Sequence, residues 1–244
     1  MTTAILVARM GSHRLPGKPM RLIAGKPMLE RLVERVSRAH SISQVVLATT
    51  SQREDDALAD WAGRLGIGCS RGSVEDVLGR ILQASEICKA DPIVEILGDN
   101  PLVDPALVDA VFERYQVGDC DYVASLTSEY PHAPQGSRCF PRGIRVQVFS
   151  HAVLARSEQF SVEPRHREHS TSFIYEHPGL FRLGYVEARG RWEGVCRPDL
   201  NWAVNTDEDF QRVQGIFQRL LPRGIDFGLQ EILEAWEEPC GSFC

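Results

Sequence analysis

The chain has 244 residues, 43% of them hydrophobic and 25% charged, with a formal net charge of −6. Those values fit one α/β domain with a substantial core, and the acidic balance excludes a general nucleic-acid binder, whose footprint would be basic. No apolar run reaches the roughly 18 residues of a membrane helix and no signal peptide precedes the first strand, so a cytoplasmic protein is expected, with no membrane partner.

Ala4 to Ala8 is a short apolar run, as in a strand buried on both faces. It breaks at Arg9-Met10-Gly11-Ser12 into a loop that continues through Arg14 to Gly17-Lys18-Pro19. Two glycines let the backbone approach a ligand, and the fixed charges of Arg9, Arg14 and Lys18 suit a polyphosphate. A Walker A loop needs four residues between its glycines and a hydroxyl after the lysine. Here five residues separate Gly11 from Gly17 and Pro19 follows Lys18, so this is a phosphate loop of another kind or a surface turn that happens to be basic.

Met28, Leu29, Leu32, Val33 and Val36 then fall on one face of a helix, and Gln44 to Thr49 reads as a second strand. Ala57 to Leu65 gives another helix, ended by Gly66, and Ile67-Gly68-Cys69 a third short strand. This is β-α-β-α order, the pattern of a parallel sheet covered by helices. Ser73 is placed as the N-cap of the next helix, with Asp76 three residues on. Pro92 to Leu97 forms a strand running into Gly98-Asp99-Asn100-Pro101. A carboxylate there stands at the carboxyl end of the sheet, where open α/β folds bind ligands. Asp104, before Pro105, reads as a helix N-cap.

Asp119 to Ala124 starts another strand, and a looser stretch rich in proline and glycine follows from Thr127 to Gly143. From Pro131 to Arg167 there are six arginines against two glutamates, a local excess of positive charge in an acidic chain. An anionic ligand would account for it, and so would a solvated basic face. Pro141 to Phe149 alternates as an exposed or site-facing strand with Arg145 and Gln147 on one face. Thr206 caps a helix with Phe210, Val213, Ile216, Phe217 and Leu220 on its buried stripe. Leu229 to Trp236 forms the last helix. The seven cysteines are an odd number without a C-x-x-C pair, which agrees with reduced thiols, and Cys240 and Cys244 read as a tail rather than a metal site.

The segment A-R-M-G-S-x-R-L-P-G-K resembles the opening of the SpsF-like cytidylyltransferases, which are grouped with the CMP-KDO and CMP-sialic acid synthetases among the nucleotide-diphosphosugar transferases. Arg71-Gly72-Ser73 with Asp76-Val77-Leu78 resembles a second family segment that lies beside the nucleotide. Gly98-Asp99 with Pro101 to Pro105 resembles a third. Arg167-Glu168-His169 with Thr171 resembles a fourth, and Val204 to Asp209 a last one. Together these cover roughly residues 3 to 215.

The resemblance implies a Rossmann-like three-layer α/β fold with a mostly parallel central sheet. It implies one domain over 1–244, with 127–165 as a substrate arm or lid, and a homodimer. The implied reaction transfers CMP from CTP to an anionic acceptor such as a sugar acid, with pyrophosphate leaving. Nucleotide binding would fall on Ala8, Arg9, Met10, Gly11, Ser12, Arg14, Lys18, Arg71, Ser73, Asp76 and Asp99. Arg9, Lys18 and Asp99 would be catalytic, with Mg²⁺ on Asp99 and, in place of a second aspartate, Asn205. Acceptor binding would fall on Arg142, Arg145, Gln147, Arg167 and His169.

The chain departs from the family where Arg142, Arg145 and Gln147 replace acids and where Glu95 replaces a usual arginine. Two alternatives stay open. One is another nucleotide, or a phosphonate or phosphate acceptor. The other is a non-catalytic nucleotide-binding homologue.

Overall fold

The structure, a computed structural model, describes residues 1–12 and 14–238; Cys240 and Cys244 lie outside them. After β1 (Thr3–Val7) and the 8–18 loop come a small ribbon, β2 (Leu22–Ile23) with β3 (Lys26–Pro27), and α1 (Met28–Val36). β4 (Gln44–Thr50), α2 (Asp56–Leu65), β5 (Gly68–Gly72), α3 (Val77–Cys88), β6 (Ile93–Leu97) and α4 (Pro105–Gln116) follow. The second half holds β7 (Tyr122–Ser125), β8 (Val146–Phe149), α5 (His151–Glu158), α6 (Pro164–Glu168), α7 (Ser172–Glu176), β9 (Leu183–Val186), α8 (Asp207–Leu220) and α9 (Leu229–Glu237).

Seven strands make one sheet in the order β5-β4-β1-β6-β8-β7-β9. β5, β4, β1 and β6 run parallel, β8 is antiparallel to both neighbours, and β9 is parallel to β7. The period-2 alternation of the strands splits their side chains between two cores. Ala4, Leu6, Val94, Ile96, Val146 and Val148 face the layer of α1, α2, α4, α8 and α9. Ile5, Ile93, Tyr122, Ala124 and Phe149 face α3, α5 and α7. This is the expected three-layer α/β arrangement. No helix among the described residues is long and apolar enough to cross a membrane.

Local chemistry sets most boundaries. Gly66, with φ +75°, ends α2 in the left-handed conformation that glycine adopts without strain. Asp104 Oδ1 accepts from the Ala106 amide at 2.8 Å to start α4. Thr206 and Asp209 form a reciprocal capping box on α8, whose predicted stripe is buried throughout.

Several expectations need correction. β5 runs on to Gly72, so Arg71 is a strand residue rather than part of a site loop. α3 starts four residues after Ser73, and its N-cap is Asp76, which accepts from the Gly79 amide at 2.8 Å. Ser73 accepts from the Asp76 amide instead. Within 127–165, β8 sits inside the central sheet and α5 on its flank. Residues 167–174 are two short helices with a turn between them, since the helix pattern breaks at His169 to Thr171.

Candidate active site

The carboxyl ends of β1 and β6 open into a cleft of about 930 Å³. Gly98 lets these ends close up: a Cβ there would come within 2.9 Å of the Val7 carbonyl and 2.8 Å of the Ala8 side chain. The Gly98 amide donates to that same carbonyl at 2.9 Å, which places Asp99 against the 8–18 loop. The loop is braced from behind by Asp55, a buried carboxylate that accepts from the Met10 amide at 2.6 Å and from the Thr50 hydroxyl. Gly17 turns the loop back with φ +68° and donates to the Met10 carbonyl at 3.0 Å.

Lys18 is the hub. Its Nζ donates to the Val204 carbonyl at 2.7 Å and lies 3.4 Å from Asp99 Oδ2. Arg14 donates to Asn205 Oδ1 at 2.9 Å, and the Val204 amide to the Asp99 carbonyl at 2.9 Å. Three segments far apart in sequence therefore meet at one point. Arg9 also lines the cleft, and among the described residues its guanidinium has no hydrogen-bond or ion-pair partner. Backbone help is thinner than expected, because the Met10 and Ser12 amides are committed to Asp55 and to the Met10 carbonyl.

The opposite wall comes from the start of α3 and from α6. Asp76 and Arg167 face each other there as an ion pair, and Arg167 also donates to Glu158 at 3.1 Å. Burial works against the Arg167 charge, but the Asp76 and Glu158 carboxylates outweigh it and raise its pKa. His169 is exposed on this wall. Of the residues expected at a site, the cleft brings together Ala8, Arg9, Gly11, Ser12, Arg14, Lys18, Ser73, Asp76, Asp99, Arg167, His169 and Asn205.

It leaves out Met10, Arg71, Arg142, Arg145 and Gln147. The Met10 side chain packs against the core. Arg71 is spent on the Thr50 and Gln52 carbonyls and on Asp56. Arg142 is exposed beside Asn201, where its backbone makes an isolated bridge. Gln147 is 1% exposed, since the Tyr122 and Thr171 side chains, both hydrogen-bonded to its Oε1, cover that face of β8. Arg145 turns to the same side of the sheet, with its guanidinium 6.0 Å from the centre of the Tyr130 ring. Burial opposes its charge, and the surrounding tyrosines and Glu129 more than offset that and raise its pKa.

Sequence reasoning missed Arg80 and Asp55. Arg80 lines the cleft at 2% exposure, donates to the Ser73 carbonyl at 2.9 Å, and is pushed down to about 10 by burial, with Arg9 adding to the effect. Its spacing of four from Asp76 puts both on one helix face, a usable signal. Asp55 carried no such signal.

For a metal, Asp99 Oδ1 is buried and without a partner, so one carboxylate oxygen is unspent. Among the described residues no group of three or more His, Cys, Asp and Glu is placed to hold a metal ion. One carboxylate is the donor set of a Mg²⁺ site completed by substrate phosphates, so the residues fit that ion.

A family model described as Cytidylyltransferase matches residues 3–197. Over 220 residues the chain is 31% identical to the spore coat polysaccharide biosynthesis protein SpsF of Bacillus subtilis, covering 88% of this chain and 85% of that one. Over 121 residues it is 36% identical to a 3-deoxy-manno-octulosonate cytidylyltransferase of Hydrogenovibrio crunogenus, covering 49% of each. A solved cytidylyltransferase from Leptospira borgpetersenii shares the fold, with a TM-score of 0.82 at 24% identity over 96% of this chain and 92% of that one.

Proposed function

Since the chain belongs to the cytidylyltransferase family, a family of CTP-dependent nucleotidyltransferases, we propose that its cleft transfers CMP from CTP to an anionic acceptor, a sugar acid. An acceptor hydroxyl oxygen attacks the α-phosphorus and loses its proton. The bond to the β-phosphate oxygen breaks and pyrophosphate leaves. Such a transfer depends on positioning and charge neutralisation. The observation that carries the reading is the set of cations on the cleft: Lys18 held between Asp99 and the Val204 carbonyl, Arg14 beside it, and Arg9 without a partner among the described residues.

In this reading Arg9, Arg14 and Lys18 hold the triphosphate and balance the charge that develops on pyrophosphate. Asp99 is the residue that would hold Mg²⁺, which when bound supplies further neutralisation of phosphate charge. Arg167 and His169, on the far wall, are left to meet the acceptor. The same reading makes the protein a cytoplasmic homodimer, which a solution mass measurement checks.

One observation favours a second reading, nucleotide binding without turnover. Asn205 stands where a second acid would help hold a metal, and its oxygen already accepts from Arg14. The deciding experiment measures pyrophosphate release from CTP, UTP and GTP with 3-deoxy-manno-octulosonate, other sugar acids and small phosphonates as acceptors. Release from CTP alone supports the transferase. Tight CTP binding with no release under any acceptor supports the binder.

A further inference from the structure

Glu95 on β6 and Gln147 on β8 stand directly opposite each other in register, each 1% exposed. Both accept hydrogen bonds from the turn that joins α6 to α7. The Ser170 hydroxyl donates to Glu95 Oε1 at 2.7 Å, and the Thr171 hydroxyl to Gln147 Oε1 at 2.6 Å. Gln147 Oε1 also accepts from the Tyr122 hydroxyl at 2.5 Å. Two consecutive residues of one turn are thus fastened to two neighbouring central strands.

The residues just before the turn make the cleft's far wall, with Arg167 and His169 among them. β6, which carries Glu95, ends at Leu97 and leads through Gly98 to Asp99. The far wall is held a second time by Arg167 on Asp76 and Glu158. We infer that Glu95 and Gln147 are positioning residues: they fix the 169–171 turn to the sheet and so set Arg167 and His169 at a constant distance from Asp99.

The energetics suit that role. Burial raises the Glu95 pKa, opposed by the Ser170 hydroxyl and by Arg145. The Ser170 bond satisfies Oε1, while Oε2 is buried with no hydrogen-bond partner among the described residues, so the loss of that one bond would be felt at the turn. Removing it leaves the Ser170 hydroxyl buried with no acceptor, a penalty concentrated on the turn. The nucleotide side of the cleft, built on the 8–18 loop, shares none of these bonds.

The test compares Glu95→Ala, Glu95→Gln and Ser170→Ala by amide hydrogen exchange, with CTP affinity by calorimetry. Glu95→Ala should speed exchange over 168–172 by at least ~10-fold, the scale of one lost buried hydrogen bond. Ser170→Ala, which removes the same bond from the other end, should do the same. Glu95→Gln keeps an oxygen for Ser170 and should stay within about 2-fold of the parent. CTP affinity should hold within about 2-fold in all three. Unchanged exchange in the turn, faster exchange spread equally over every element, or a Gln variant as loose as the Ala variant would each overturn the inference.

The kinetic arm rests on the transferase reading and uses CTP with 3-deoxy-manno-octulosonate. Acceptor KM should rise about 10-fold in Glu95→Ala and recover in Glu95→Gln, with CTP KM unmoved. If the parent protein turns over neither substrate, that reading fails, while the exchange result still decides the positioning role.

Discussion

The two sides of the cleft treat charge in opposite ways. On the loop side, Arg9, Arg14 and Lys18 line the cleft with Lys18 alone paired to a carboxylate, Asp99, and Arg9 has no protein partner among the described residues. On the far side, Arg167 is neutralised by Asp76 and Glu158, and Arg145 lies outside the cleft, turned into a cluster of tyrosines. One side is electrostatically incomplete and the other nearly closed on itself. Half-buried Arg9 and Lys18 and exposed Arg14 leave positive charge on the loop side that an anion would offset. The far side is built mainly for shape. Of the six arginines between 131 and 167, only Arg167 reaches the cleft.

The largest expected effect breaks the comparison at the loop. Arg9→Ala and Lys18→Ala should each lower turnover by at least ~100-fold, the loss expected when a charged stabiliser of the transition state is removed. Their thermal midpoints should change little, and near-normal turnover in both would remove the asymmetry. Next, Arg80→Ala asks whether the loop side extends onto α3: CTP affinity should fall about 10-fold by calorimetry, as for one lost charged contact. A smaller effect sharpens the far side. Because burial raises the Glu95 pKa in the folded state, the fold favours its neutral form. Stability from that form is complete below the ordinary carboxylate value of about 4.3 and is lost as pH rises through the raised value. The melting temperature of Glu95→Gln should therefore gain on the parent as pH increases over that window, and a gap independent of pH would contradict the direction. Smallest of all, Arg71→Ala and Arg142→Asp should leave the KM for CTP and for acceptor within about 2-fold, as for changes away from a site.

The same contrast explains what could be read from the sequence. The loop side is a contiguous motif, and its glycines signal the turn that folds it back, as Gly17 does with φ +68°. The succession of strands and helices along the chain and the helix stripes followed from periodicity and caps, as with Gly66, Asp104 and Thr206. The far side depends on which face of β8 meets solvent, and alternation gives two faces without saying what covers them. Gln147 reads as site-facing until Tyr122 and Thr171 are seen to cover it. Glu95, Arg145 and Gln147 look like three separate departures from the family pattern, yet they fall on one cross-strand group. Arg71 lay in a motif beside the nucleotide, but the strand ran three residues further than its glycines suggested.

The bond from Lys18 to the Val204 carbonyl spans 186 residues, and the family match ends at 197. A fragment cut at that boundary keeps every strand of the sheet but loses the acceptor that aims the Lys18 ammonium, and with it Asn205 beside Arg14. It also loses α8 and α9, whose Phe210, Val213 and Leu233 cover one layer of the core. The unit that aims the Lys18 ammonium is thus longer than the 3–197 span of the family model. Splitting the protein into two separately expressed pieces near residue 200 would make the ammonium's placement depend on their reassociation, a complementation assay in which the cleft itself reports the docking.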